Sequence, residues 1–222
     1  MRNVSSVATS QTSGAPWTAI NRDNARTQCQ NLGAGYNLIS NAQWQTIARN
    51  IADTDSNWST GTAYSGQLNR GHSDNAPSSG LSASTDSDAC SGTGQTCSDV
   101  TWHDQRRTHK LSNGETIWDF SGNALEWVLD TNGASQGAQG WAASFNGGDS
   151  RQNNYGNDQF CGTPGSSPYC GYGYGWTAAA GGAVRRGGYW GHTTEAGIFE
   201  SDLTCSASCS DAFMGFRCIY VN

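Results

Sequence analysis

Charge is scarce in this chain. Only 14% of its 222 residues are Asp, Glu, Lys or Arg, where an average soluble domain carries about a quarter. A single lysine, Lys110, stands beside eleven arginines, and the formal net charge is -6. A nucleic-acid backbone demands cations, so an acidic chain without a basic cluster is a poor nucleic-acid binder. The same deficit argues against an anionic membrane surface. No apolar run approaches the roughly 18 residues of a membrane span. Residues 1–14 lack the apolar stretch of a secretory signal. They are polar and rich in Ser and Thr, and read as a linker from an upstream stalk. Also missing are a Gly-x-Ser-x-Gly elbow, a His-Glu-x-x-His helix and a phosphate loop.

Apolar residues make up 35% of the chain and glycine adds 29 residues, enough for one folded domain over 15–222. Eight cysteines are present, with no Cys-x-x-Cys among them. An even count without metal-type spacing favours disulfides over zinc, and so an oxidising compartment, extracellular or at a cell surface. Three pairs are close in sequence: Cys90 with Cys97, Cys161 with Cys170, and Cys205 with Cys209. Each would staple a Gly/Ser-rich loop. Cys29 and Cys218 remain, and would tie the start of the chain to its end. Eight cysteines allow 105 connectivities, so this pairing is one among many.

Two helices are predicted early. Ala25, Cys29 and Leu32 share one face of a segment near Ile20 to Leu32, with Gly33 placed to cap it. Ser40 and Gln43 form a capping box for the second helix, Ile39 can staple onto Trp44, and Trp44, Ile47, Ala48 and Ile51 make the buried stripe. Residues 53–101 are polar and Gly/Ser-rich, with Trp58, Tyr64 and Leu68 as anchors. The segments 183–190, 197–203 and 214–221 read as strands. The whole is predicted to be one α+β domain. His103-Asp104 and Arg106-Arg107-Thr108-His109 gather polar groups around Trp102. The plainer reading makes Trp102 a core anchor and has these Arg and His residues hydrogen-bond to loops.

Residues 131–182 form an unusual insertion, with thirteen glycines, eight aromatics and three charged residues. Trp141, Phe145, Tyr155, Phe160, Tyr169, Tyr172, Tyr174 and Trp176 are set among Gly, Asn and Ser. That is the composition of a paratope, where Tyr and Trp give contact area at low entropic cost.

Several segments converge on one family. Trp118-Asp119-Phe120-Ser121-Gly122-Asn123-Ala124-Leu125-Glu126-Trp127-Val128 resembles the Gly-Asn-x-x-Glu-Trp signature of the formylglycine-generating, sulfatase-modifying family. Arg186-Gly187-Gly188-Tyr189-Trp190 resembles its Arg-Gly-Gly strand, Gly215-Phe216-Arg217-Cys218 its closing strand, and Asn37–Trp44 its entry into the second helix. The likeness runs over residues 17–221. It implies a C-type-lectin-like fold: two helices, a short irregular β-sheet and long disulfide-stapled loops. A bridge from Cys29 to Cys218 resembles the C-type-lectin disulfide.

Enzymes of that family hold copper with two cysteines just after the Arg-Gly-Gly strand. Here Gly191–Gly197 has none, so the expectation is a protein that is not an enzyme. The same scaffold serves as a display platform in variable proteins of phages and bacteria. By that likeness Ala196–Phe199 is framework, and His192, Thr193, Thr194, Glu195, Glu200, Ser201, Asp211 and Phe213 lie at display positions. With Tyr189 and the insertion's Trp141, Tyr155, Tyr169, Tyr172, Tyr174 and Trp176, they make up the expected ligand-binding set. The resemblance also implies a structural calcium (Ca2+) held by the Asp119 and Glu126 side chains and the Gly122 and Ala124 carbonyls, hard oxygens from one tight loop. The functional expectation is an extracellular adhesion domain at the tip of a bacterial or phage-like fibre. It would bind a cell-envelope glycan or protein, with homotrimers formed through the fibre. The alternatives are a formylglycine-generating-type oxidase and a purely structural surface module.

Overall fold

The computed structural model describes residues 1–84, 87–131, 175–176 and 182–221. The insertion's Trp141, Tyr155, Tyr169, Tyr172 and Tyr174, and the pair Cys161 and Cys170, lie outside the described residues.

Residues 1–14, read from composition as a linker, carry a β-hairpin. Strand β1 (Arg2–Val4) pairs antiparallel with β2 (Val7–Thr9), and Ala8 is buried in the core. Ser5 and Ser6 both have positive φ, at 51° and 65°. That is the backbone of a two-residue hairpin turn, which matches the twist of the flanking strands. Asn3 Oδ1 accepts the Ser6 N–H at 2.8 Å and steadies it. The turn lacks the Asn-Gly or Asp-Gly that advertises such hairpins, so composition alone concealed it.

Helix α1 (Arg22–Gln30) follows, with Asn21 capping its N-terminus and Ala25 and Cys29 on the buried face. Its C-cap is Asn31, and Gly33, two residues on, takes a φ of 126°. Strand β3 (Tyr36–Leu38) leads into α2 (Asn41–Ala52). Both halves of the Ser40–Gln43 capping box are made. Ile39, Trp44, Ala48 and Ile51 are buried in one apolar cluster, with Ile47 packed at its margin. Trp44 stacks on Phe120 with ring centroids 4.0 Å apart, and its indole N–H donates to Ile198 O at 2.8 Å.

The later strands are β4 (Thr108–Lys110), β5 (Thr116–Trp118), β6 (Leu125–Thr131), β7 (Gly175–Trp176), β8 (Ala183–Arg186), β9 (Ser201–Asp202), β10 (Met214–Phe216) and β11 (Cys218–Tyr220). Five of them form one mixed sheet in the order β10-β6-β8-β9-β7. In it β10 runs parallel to β6, β8 lies antiparallel between β6 and β9, and β7 is parallel to β9. Strand β11 returns to pair with β3, and β4 pairs with β5. The two helices and small mixed sheets are the expected α+β arrangement. One apolar cluster sits between α2 and β6–β8, a second between α1 and β10.

Disulfides join Cys29 to Cys218, Cys90 to Cys97 and Cys205 to Cys209, as anticipated. Three bridges suit an oxidising compartment. Among the described residues, no helix is long and apolar enough to cross a membrane.

Candidate functional site

Strand β8 ends in Arg186, and two glycines then turn the chain sharply. Gly187 and Gly188 have φ of 89° and 80°. A Cβ on Gly188 would come within 2.7 Å of Ala196, and one on Gly187 within 2.9 Å of the Phe120 carbonyl. Only glycine tolerates both the dihedral and the approach. The turn brings Tyr189, Trp190 and His192 to one patch. Tyr189 stacks on Phe213 at 4.4 Å, meets Trp190 edge-on at 5.2 Å and His192 at 4.2 Å. All four are half-buried, and Thr193, Thr194, Asp211 and Ala212 around them are exposed. Burial first, then the negative charges of Asp211, Glu195 and Asp202, push the Tyr189 phenol above its usual pKa. This platform gathers Tyr189, His192, Glu195 and Phe213 from the expected ligand-binding set. Trp176 lies on β7, its backbone in register with Asp202.

Glu200 and Ser201, expected at display positions, are instead fully buried. The reason is local: Glu200 Oε2 accepts the Gly188 N–H at 2.9 Å and so locks the corner from beneath. Beside it Asp202 Oδ1 accepts from Arg185 Nη2 at 2.6 Å, from Thr204 N at 2.8 Å and from Thr204 Oγ1 at 2.7 Å. Arg186 donates to Asn41 Oδ1 and to the carbonyls of Phe199 and Glu200. Burial pushes the Glu200 carboxyl well above the usual range and His192 down to about 4. His192 Nδ1 and Glu200 Oε1 face each other at 3.5 Å.

The loop from Asp119 to Glu126 is built differently from the calcium site expected of it. Asp119 accepts from Arg107 through both oxygens, Nε to Oδ1 at 2.8 Å and Nη2 to Oδ2 at 2.6 Å. Asn123 Nδ2 adds a third bond to Asp119 at 3.1 Å. Glu126 takes both donors of Arg217 in the same way, Nη2 to Oε1 at 2.6 Å and Nε to Oε2. The Gly122 carbonyl accepts the Ala124 N–H at 2.8 Å. Calcium needs six to eight unclaimed oxygens, several of them anionic. The oxygens of this loop do not fit that ion, since guanidiniums already hold both carboxylates. Burial opposes the Arg217 charge, but Glu126 beside it outweighs the penalty and raises the Arg217 pKa. The copper pair implied for family enzymes does not fit either. Gly191–Gly197 holds no thiol, and Cys205 and Cys209 are bonded to each other.

The polar run 103–109 is structural. Arg106 donates to Ser56 O, Asp99 O and Asn69 Oδ1, and Arg107 to Ser82 O and Ser91 O besides Asp119. His109 Nε2 lies 3.1 Å from Asn69 O, and burial lowers its pKa to about 3. Trp102 is only half-buried, so it is not the core anchor expected. A cavity of about 380 Å³ opens between residues 1–16 and β10–β11, lined by Ile47, Leu81, Ile117, Trp118 and Arg217 among others. None of the expected ligand-binding residues lines it, and its carboxylates are those already paired with arginine.

Sequence reasoning missed Arg107 and Arg217 as the partners of the two carboxylates. The second was legible, because Arg217 stands inside the Gly-Phe-Arg-Cys strand. A family model described as a sulfatase-modifying factor enzyme 1-like domain matches residues 2–221. No curated protein matches the chain.

Proposed function

The chain belongs to the sulfatase-modifying factor enzyme 1-like family, with its C-type-lectin-like fold, and from that premise we propose that it is a recognition domain rather than an enzyme. The aromatic platform after the Arg-Gly-Gly corner carries the reading. Tyr189 and Trp190 on that turn, with Phe213 stacked on Tyr189 from the segment before β10, present partly exposed rings above the more deeply set His192, ringed by exposed Thr193, Thr194 and Asp211. Flat rings beside hydroxyls and a carboxylate suit sugar faces and protein side chains alike. The absence of a thiol from Gly191–Gly197 supports a non-catalytic role. The concrete form is an extracellular adhesion domain at the tip of a bacterial or phage-like fibre, engaging a cell-envelope glycan or protein of another cell.

The test is binding of the labelled, disulfide-intact domain to intact bacterial envelopes and a glycan panel. Saturable binding is expected, reduced in Tyr189→Ala and Phe213→Ala. No binding from a folded sample, or binding that neither variant weakens, overturns the reading.

A further inference from the structure

Beneath the aromatic platform three side chains of metal-ligand type converge. A ring nitrogen of His192 and one carboxylate oxygen each from Glu200 and Asp202 lie within 4.8 Å of one another. Glu200 is 0% exposed. Its Oε1 has no hydrogen-bond partner among the described residues and points at the buried Nδ1 of His192, 3.5 Å away. A buried carboxylate oxygen beside a second carboxylate and an imidazole nitrogen is costly unless a proton or cation lies among them. Neither nearby guanidinium bonds Glu200 Oε1. Arg185 is bonded to Asp202 Oδ1 and Thr204, and Arg186 to Asn41 and two carbonyls.

Each carboxylate is also fixed by outer contacts. Glu200 is anchored through Oε2 on the Gly188 N–H, and Asp202 through Oδ1 on Arg185 and Thr204. Outer hydrogen bonds of this kind orient metal ligands. The contrast with Asp119 and Glu126 is direct, because there arginine claims both oxygens of each carboxylate. The other cluster with ligand spacing, Asp88 with Cys90 and Cys97, has both sulfurs in a disulfide.

We propose that His192, Glu200 and Asp202 bind one divalent transition-metal ion of zinc-like character, seated under the aromatic platform. One imidazole and two carboxylates suit zinc, cobalt or manganese, and the imidazole disfavours calcium and magnesium. The site does not depend on the recognition reading. It would stiffen the corner from which the platform projects.

The experiment is equilibrium dialysis of the untagged, EDTA-stripped full chain against Zn2+, with Ca2+ and Mg2+ in parallel. One Zn2+ per chain is expected, with neither of the others retained. Glu200→Gln and His192→Ala should each weaken zinc binding by about tenfold or more, with near-UV circular dichroism confirming the fold. His192 is half-buried on a turn, so its truncation leaves the packed core in place. Replacing zinc by Co2+ should give visible absorption bands that change in His192→Ala. No stoichiometric zinc uptake by the unmodified chain overturns the proposal. So does uptake that both variants leave unaltered, which would mark surface histidines such as His103 as the binders.

Discussion

Replacing Arg217 by methionine tests the claim that arginine, rather than a metal ion, neutralises the Glu126 pocket. The substitution keeps a long side chain beside the stacked Trp44 and Phe120, whose rings lie 5.6 and 5.2 Å from the guanidinium. It removes both donors to Glu126 and the 2.9 Å bond from Nη2 to the Asp119 carbonyl. The pair is largely shielded, with side-chain exposures of 18% and 11%. Stranding one partner of a buried ion pair costs about 3–5 kcal/mol. In a domain of this size that lowers the melting temperature by roughly 6–20 °C. Adding Glu126→Leu should recover most of the loss, since an apolar pair leaves no charge stranded. Urea unfolding followed by tryptophan fluorescence, disulfides intact, measures both variants. The reasoning fails if Arg217→Met costs under about 1 kcal/mol, the value of a solvent-screened pair, or if the double variant is no more stable than the single. Millimolar Ca2+ should rescue none of the variants.

Gly122→Ala should destabilise by about 3 kcal/mol or more, combining a left-handed dihedral with overpacking. Its φ is 74° and its Cβ would meet the Arg70 and His72 carbonyls at 2.6 Å; a melting temperature within 2 °C of the parent, roughly the shift of a negligible change, would refute this. Ser40→Ala should cost about 1 kcal/mol through the lost cap, visible in chemical unfolding, whereas Ser206→Ala, on an exposed loop, serves as the neutral control. His109 is held neutral, with a pKa near 3 against 6.5 when unfolded. The unfolded chain therefore binds the extra proton, and stability falls as pH drops from about 6.5 toward 3. His109→Gln should flatten that dependence by up to about 1.4 kcal/mol per pH unit, and parallel slopes for parent and variant would exclude His109 as its source.

Helix α2 could be read fully from sequence because its information is local. Ser40, Gln43 and the stripe from Trp44 to Ile51 fall within twelve positions, and each contact obeys helical spacing. The carboxylates at 119 and 126 were found, but their partners were not, because Arg107 and Arg217 lie 12 and 91 residues away. Opposite charges across that distance leave no periodic trace. Glu200 and Ser201 take outward positions only by the likeness to variable display proteins, and so short a strand offers no pattern to correct it. In fact every residue from Ala196 to Leu203 is buried, so no alternation was available to reveal a solvent side. The hairpin at 2–9 was hidden by its Ser-Ser turn, which borrows a backbone usually reserved for glycine and asparagine.

The bridge from Cys29 to Cys218 has a mechanical consequence. Tension applied at the two ends passes through that bond and bypasses everything between. Residues 30–217 lie inside the covalent loop and cannot lengthen while the bond holds. Fully drawn out, the residues outside it yield about 110 Å. The sheet, the apolar cluster under α2 and the Arg-Gly-Gly corner then bear no load, whereas Ala8, Ile20 and Ala25 of the other cluster lie in the tether. A domain wired in this way keeps the shape of its aromatic face while it is being pulled, and reduction of one sulfur pair would turn a short tether into a long one.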